Sequence, residues 1–295
     1  MTHCLRLKRR LATFIVAVFL AVLSTACFAD HGGCPCVSDS APNPIAEIAE
    51  PAQRAVILWN GREEWLILAT DAAVVSGNSQ STVEFIPLPS EPLSQVESAD
   101  LIRRTVAWGG AHGLDLSGFT GQAPPGHIVD NPFTISIQRP TNLADTLVKV
   151  CPIAPSYSAG ATALAERYVG RGLSWFAIDR IDVDKTLKSF PPISYRFASD
   201  RVFYPLETSA MGVGETRIDI VLITPSGISS LGSDGNFLDP GSVTLVRTES
   251  LATVSSDWPT LFSQDVVAVQ HVVIKGALSE LRFDLFSKPD GLAAH

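Results

Sequence analysis

Apolar runs dominate the chain, and most have the length of strands rather than helices. Residues 54–59 (RAVILW) and 64–70 (EWLILAT) flank Asn60-Gly61. Both turn residues tolerate positive φ, so the pair predicts a β-hairpin. Residues 82–86 (TVEFI) predict a third strand, ended by Pro87 and Pro89. Residues 98–108 (SADLIRRTVAW) instead place Leu101, Ile102, Thr105, Val106 and Trp108 near one helical face, with Ser98 as a cap. Residues 109–132 are rich in Gly and Pro and predict a long loop. Short strands are expected at 134–138 and 146–150, and a second helix at 159–169, closed by Gly170. Beyond it, 173–183, 193–197, 217–224, 242–248, 266–275 and 281–286 all favour strand. The 217–224 segment (RIDIVLIT) alternates only in part, which predicts burial on both faces.

Helices are few, and strands do not alternate regularly with them. The expectation is therefore a single α+β domain, mostly antiparallel β-sheet with two or three helices, over residues 54–287. Residues 288–295 are expected to be a C-terminal tail. No internal repeat or biased run is visible, and 46% hydrophobic against 18% charged residues excludes a disordered chain.

The N-terminus has a different character. Arg6, Lys8, Arg9 and Arg10 precede an uncharged apolar stretch at 11–23 (LATFIVAVFLAVL), and Ser24, Thr25 and Ala26 follow. A basic end, an apolar centre and small exit residues are the parts of a secretory signal, so residues 1–29 are expected to direct export. Cleavage after Ala29, lipidation at Cys27 and retention as an anchor are all open, since 11–29 is long enough to span a bilayer. Residues 30–53 read as a Cys- and Pro-rich tail or linker. Without 1–29 the chain keeps 18 basic against 30 acidic residues, a formal charge of −12. That balance argues against nucleic acid and anionic lipid surfaces as partners, leaving membrane contact to the N-terminal segment. A protein or small-molecule partner is left unspecified.

Export changes the reading of the cysteines. Cys34, Cys36 and Cys151 are disulfide candidates in an oxidising compartment, and three thiols cannot all pair internally. His31, Cys34 and Cys36 form a small soft-ligand set for copper or zinc, set against a plain disulfide anchor in a flexible tail.

Several segments in this order resemble the bacterial domain-of-unknown-function family 2330. They are Gly32-Gly33-Cys34-Pro35-Cys36, residues 54–58 (RAVIL), 64–68 (EWLIL) and 85–92 (FIPLPSEP), then 195–200 (YRFASD), 204–209 (YPLETS) and 217–224. The resemblance covers most of the chain between about Cys34 and Thr224, and the loop 109–132 departs from it. It implies an exported protein with one continuous domain and brings no activity or catalytic residue with it.

No Gly-x-Ser-x-Gly elbow, His-Glu-x-x-His or phosphate loop occurs. Asp179, Asp182 and Asp184 cluster near a strand end; oxygen ligands for Ca²⁺ are weighed there against a solvated strand end with surface ion pairs. Ser233-Asp234-Gly235-Asn236 reads as a β-turn. His112 and His127 lie in the Gly-rich loop, as a lid or site on one side and as exposed loop residues on the other. The leading expectation is a non-enzymatic envelope or secreted module for binding or structure. A metal-handling protein using His31, Cys34 and Cys36, and an enzyme of unrecognised class, are the alternatives.

Overall fold

The computed structural model describes residues 34–35, 47–77, 80–120, 123–136, 141–150, 155–233 and 236–287. The expected hairpin joins β2 (Glu47–Trp59) to β3 (Glu63–Ser76). Gly61 turns it with φ +97°, and Asn60 Oδ1 accepts the N–H groups of Arg62 and Glu63, both at 2.9 Å. β2 starts seven residues before Arg54. Pro51 interrupts the apolar pattern there, and a register shift between Ala49 and Ala52 carries the ladder past a residue that cannot donate.

β3 next pairs with β9 (Ile193–Ala198), and β9 with β5 (Leu93–Val96). On the other side, β2 runs parallel to β11 (Glu215–Thr224). β11 pairs with β15 (Val266–Ala277), and β15 with β14 (Thr244–Arg247). β8 (Lys188–Ser189) adds to β3, and β2/β11 is the parallel pair in this otherwise antiparallel sheet. β11 is buried on both faces over most of its length, as its sequence predicts.

A second, antiparallel sheet has the order β1 (Cys34–Pro35), β4 (Gln80–Leu88), β7 (Trp175–Val183), β6 (Ile128–Ser136). Two short ladders, β10 (Phe203–Tyr204) with β16 (Leu285–Phe286) and β12 (Leu231–Ser233) with β13 (Asn236–Leu238), complete the strands. The 3₁₀ turns at Thr248–Thr253 and Trp258–Leu261 link β14 to β15.

Three α-helices are described: α1 (Asp100–Ala111), α2 (Thr141–Val150) and α3 (Pro155–Gly170). The strand expected at 146–150 is part of α2 instead. Leu143 and Leu147, one turn apart, are both fully buried, so packing overrides the β-propensity of the Thr and Val residues. The predicted loop 109–132 is shorter than expected, because α1 extends to Ala111 and β6 begins at Ile128.

These elements stack in layers. α2 and α3 cover the outer face of the smaller sheet, where Tyr168 meets Phe176 edge-on at 6.3 Å and Phe85 lies 6.5 Å from Phe176. The two sheets face each other across a core of Ile57, Leu66, Leu68 and Ile86. On the far face of the larger sheet, Leu101, Ile102 and Trp108 of α1 pack on Val56, Leu58, Ile67 and Val221. The result is the expected strand-rich, mostly antiparallel build. Among the described residues no helix is long and apolar enough to cross a membrane.

Candidate functional site

The face of the larger sheet that carries α1 is apolar at its centre and charged at one end. Arg54, Val56 and Leu58 point to this face, as do Asp219, Val221 and Ile223, because strand side chains alternate. Past Val56 and Val221 the apolar contacts stop, and Arg54 stands opposite Asp219 in the β2/β11 ladder.

Arg54 is only 2% exposed. Its Nη2 forms an ion pair with Asp71 and donates to Ser189 Oγ at 3.1 Å. Its Nε has no hydrogen-bond partner among the described residues. The side chain forms part of the wall of a cavity of about 310 Å³. Ala69, Ile102 and Thr120 line it, with Phe190, Pro191 and Pro192 opposite. Arg103 stands at its rim, exposed and paired with Asp100 at 3.0 Å. A mostly apolar cavity with a buried Arg–Asp ion pair in its wall has the chemistry to hold a small molecule that carries an oxygen acceptor.

A second charged group lies beside it. Arg217 grips Asp219 with two hydrogen bonds of 2.6 and 2.9 Å, and His271 Nε2 meets Asp219 Oδ1 at 2.9 Å. Burial works against the Asp219 charge, but the bonds from Arg217 and His271 outweigh it and hold the carboxyl at about 2. The Gly-rich loop closes over this group. A Cβ at Gly118 would collide with the Arg217 guanidinium as Asp219 holds it, so glycine allows the close approach. Asp115 is held below the usual carboxylate range by the Ser117 hydrogen bonds, with smaller contributions from His271 and Arg217.

The loop thus reaches the cavity, but its two histidines do not line it. His112 Nδ1 lies 2.8 Å from the Trp108 carbonyl, with the two rings 5.0 Å apart. His127 is exposed, and its carbonyl accepts the Asp182 N–H. His31, Cys36 and Cys151 lie outside the described residues, and of Cys34 only its backbone, paired opposite Val83, is described. Among the described residues, no group of three or more His, Cys, Asp or Glu side chains is placed to hold a metal.

The acidic cluster of β7 separates. The expected solvated strand end holds for Asp184, paired with Lys188 at 2.6 Å, and for Asp182, which accepts Ser81 Oγ at 2.6 Å. Asp179 is instead 2% exposed, enclosed between the sheets. It is three residues from Asp182, hence on the opposite face of the strand.

Sequence reasoning passed over Arg54, Asp219 and His271. One signal was available: Arg217-x-Asp219 places opposite charges on one face of a strand that is otherwise apolar. His271, between Val269 and Val273 at the same alternating positions, was another. A third buried network, distant from the cavity residues in sequence, ties α3 down. Tyr168 donates to Asp284 at 3.0 Å, Arg171 reaches both Asp284 and Glu207, and Arg167 pairs with Glu207. Burial pushes the Asp284 carboxyl up to about 7 against the pull of the Glu207 N–H and Arg171. Compared with models of known protein families and with curated proteins, the chain matches none of them.

Proposed function

We propose that the chain is an exported envelope or secreted protein, a single α+β module that binds a small molecule in the cavity beside Arg54 without turning it over. The observation that carries this reading is the buried Arg54 guanidinium, whose Nε has no hydrogen-bond partner among the described residues, in the wall of a mostly apolar cavity. The ligand has an oxygen acceptor, a carboxylate or amide, for Arg54 and an apolar body for Ile102, Phe190 and the two prolines. Export rests on the basic and apolar pattern of residues 1–29, and the resemblance to family 2330 points the same way. The acidic balance supports a partner other than nucleic acid.

Calorimetric titration with a panel of small carboxylates and amides tests the site. One chemical class should bind, and Arg54→Lys, which keeps the charge beside Asp71 but loses the planar fork, should weaken it about tenfold or more. Binding that is indifferent to Arg54→Lys and to Ala123→Trp, at the cavity wall, refutes the assignment. The mass of the mature N-terminus separates cleavage before Asp30, a lipidated Cys27 and a retained Met1.

A second reading, an enzyme, is favoured by one observation: His271 is oriented by the buried Asp219 beside Arg217, an arrangement suited to a general base. Turnover in a broad hydrolase panel that disappears in His271→Gln would replace the binding reading with this one.

A further inference from the structure

A groove at one edge of the larger sheet is used by neither reading. Trp65 of β3, Arg196 of β9 and Leu93 of β5 are direct partners across three strands, so their side chains stand on one face, and Ser194 and Gln95 follow two residues along. Asp257, immediately before the 3₁₀ turn at Trp258–Leu261, completes the lining, and the groove has a volume of about 190 Å³. The turn is fixed in place, since Trp258 is buried and Asn60 Nδ2 donates to the Leu261 carbonyl at 3.0 Å.

The polar groups of the groove differ in what they have left to offer. Ser194 and Gln95 both donate to Glu97 at 2.7 Å. Arg196 donates through Nε and Nη2 to the two Glu63 oxygens at 2.7 and 2.9 Å, which fixes the plane of its fork. A guanidinium has five N–H donors, so three are left. The Glu63 bonds hold Arg196 in its charged form against burial, and the field of Asp257 adds to them. Yet Asp257 forms no ion pair among the described residues; its carboxylate accepts the Ser256 hydroxyl at 3.2 Å. The groove therefore carries a cation and an anion that feel each other without touching.

We propose that this groove binds a free α-amino acid with an apolar side chain, its carboxylate on Arg196, its ammonium on Asp257 and its side chain against Leu93. A zwitterion meets an opposite charge at both ends, whereas a lone anion or a lone cation would meet a like charge at one of them. Leu93 is 76% exposed, and covering it is favourable. The volume lies below the about 300–1,000 Å³ of drug-sized sites, which limits the occupant to a molecule of this size. A sugar would need an open aromatic face, but Trp65 is 8% exposed and the Arg196 guanidinium lies 5.7 Å from its ring centre.

Calorimetric titration of the full chain with L-leucine, leucinamide, N-acetylleucine and glucose tests the site. Leucine should bind, and leucinamide and N-acetylleucine, each lacking one of the two charges, should bind about tenfold or more weaker. Asp257→Asn, at an exposed position, should fold, weaken leucine about tenfold and no longer favour it over N-acetylleucine. Arg196→Lys, which keeps the charge but loses the fork, should weaken leucine as well. No saturable binding of leucine overturns the proposal, as does leucine binding unchanged in both variants. Binding lost in Arg54→Lys but kept in Asp257→Asn also overturns it, because the ligand would then sit in the cavity beside Arg54. Glucose binding more tightly than leucine overturns the choice of an amino acid.

Discussion

Asp179→Asn isolates what the buried carboxylate does to stability. Burial between the sheets pushes the Asp179 carboxyl from its ordinary 3.8 up to about 7, because the charged form loses its hydration. In the unfolded chain the group ionises near its ordinary value. Between those two values the folded protein keeps a proton that the unfolded chain has released. Stability therefore falls as pH rises from about 4 to about 7, and the loss is complete above the folded value. Three pH units at about 1.4 kcal/mol each put the loss at no more than about 4 kcal/mol.

Asparagine cannot ionise, so the variant escapes that loss. Urea unfolding at pH 4 and pH 8 measures it. At pH 4 the two proteins should differ by no more than about 1 kcal/mol, the scale of one altered hydrogen bond. At pH 8 the variant should be the more stable by about 2–4 kcal/mol. A variant destabilised equally at both values would refute the reasoning, because it would mean that the ionised carboxylate is already compensated in the folded state.

Asp219→Asn should behave in the opposite sense. Asp219 is held at about 2, so its contribution is present above pH 4 and disappears as pH falls through the folded value; the variant should lose about 2 kcal/mol at pH 7 and no more than about 0.5 kcal/mol at pH 2. Gly118→Ala should destabilise by about 1–3 kcal/mol and speed amide exchange in residues 113–120, since the added Cβ meets the Arg217 guanidinium. Leu147→Ala, deleting a fully buried side chain of α2, should lower the urea midpoint by an amount equivalent to about 2–5 kcal/mol.

The parts of this fold legible in the sequence are those where local chemistry and tertiary packing agree. Asn60-Gly61 between two apolar runs suits the hairpin that forms, and the apolar stripe of α1 is the stripe that is buried. α2 departs from the strand expected at 146–150 because Thr146 and Val150 favour strands locally, and only the partners of Leu143 and Leu147, remote in sequence, select the helix. The candidate site fails to announce itself for a related reason. Arg54, Asp71, Ser189, Asp219 and His271 are spread over more than two hundred residues, and no local motif links them. What unites them is a register: the parallel β2/β11 ladder sets Arg54 against Asp219, and the β11/β15 ladder brings His271 alongside. A shift of one residue in either ladder would turn one partner to the opposite face and leave the remaining charges buried without compensation. The charged end of the sheet therefore helps to fix the strand register that the apolar centre alone, with Val, Ile and Leu on both faces, specifies weakly.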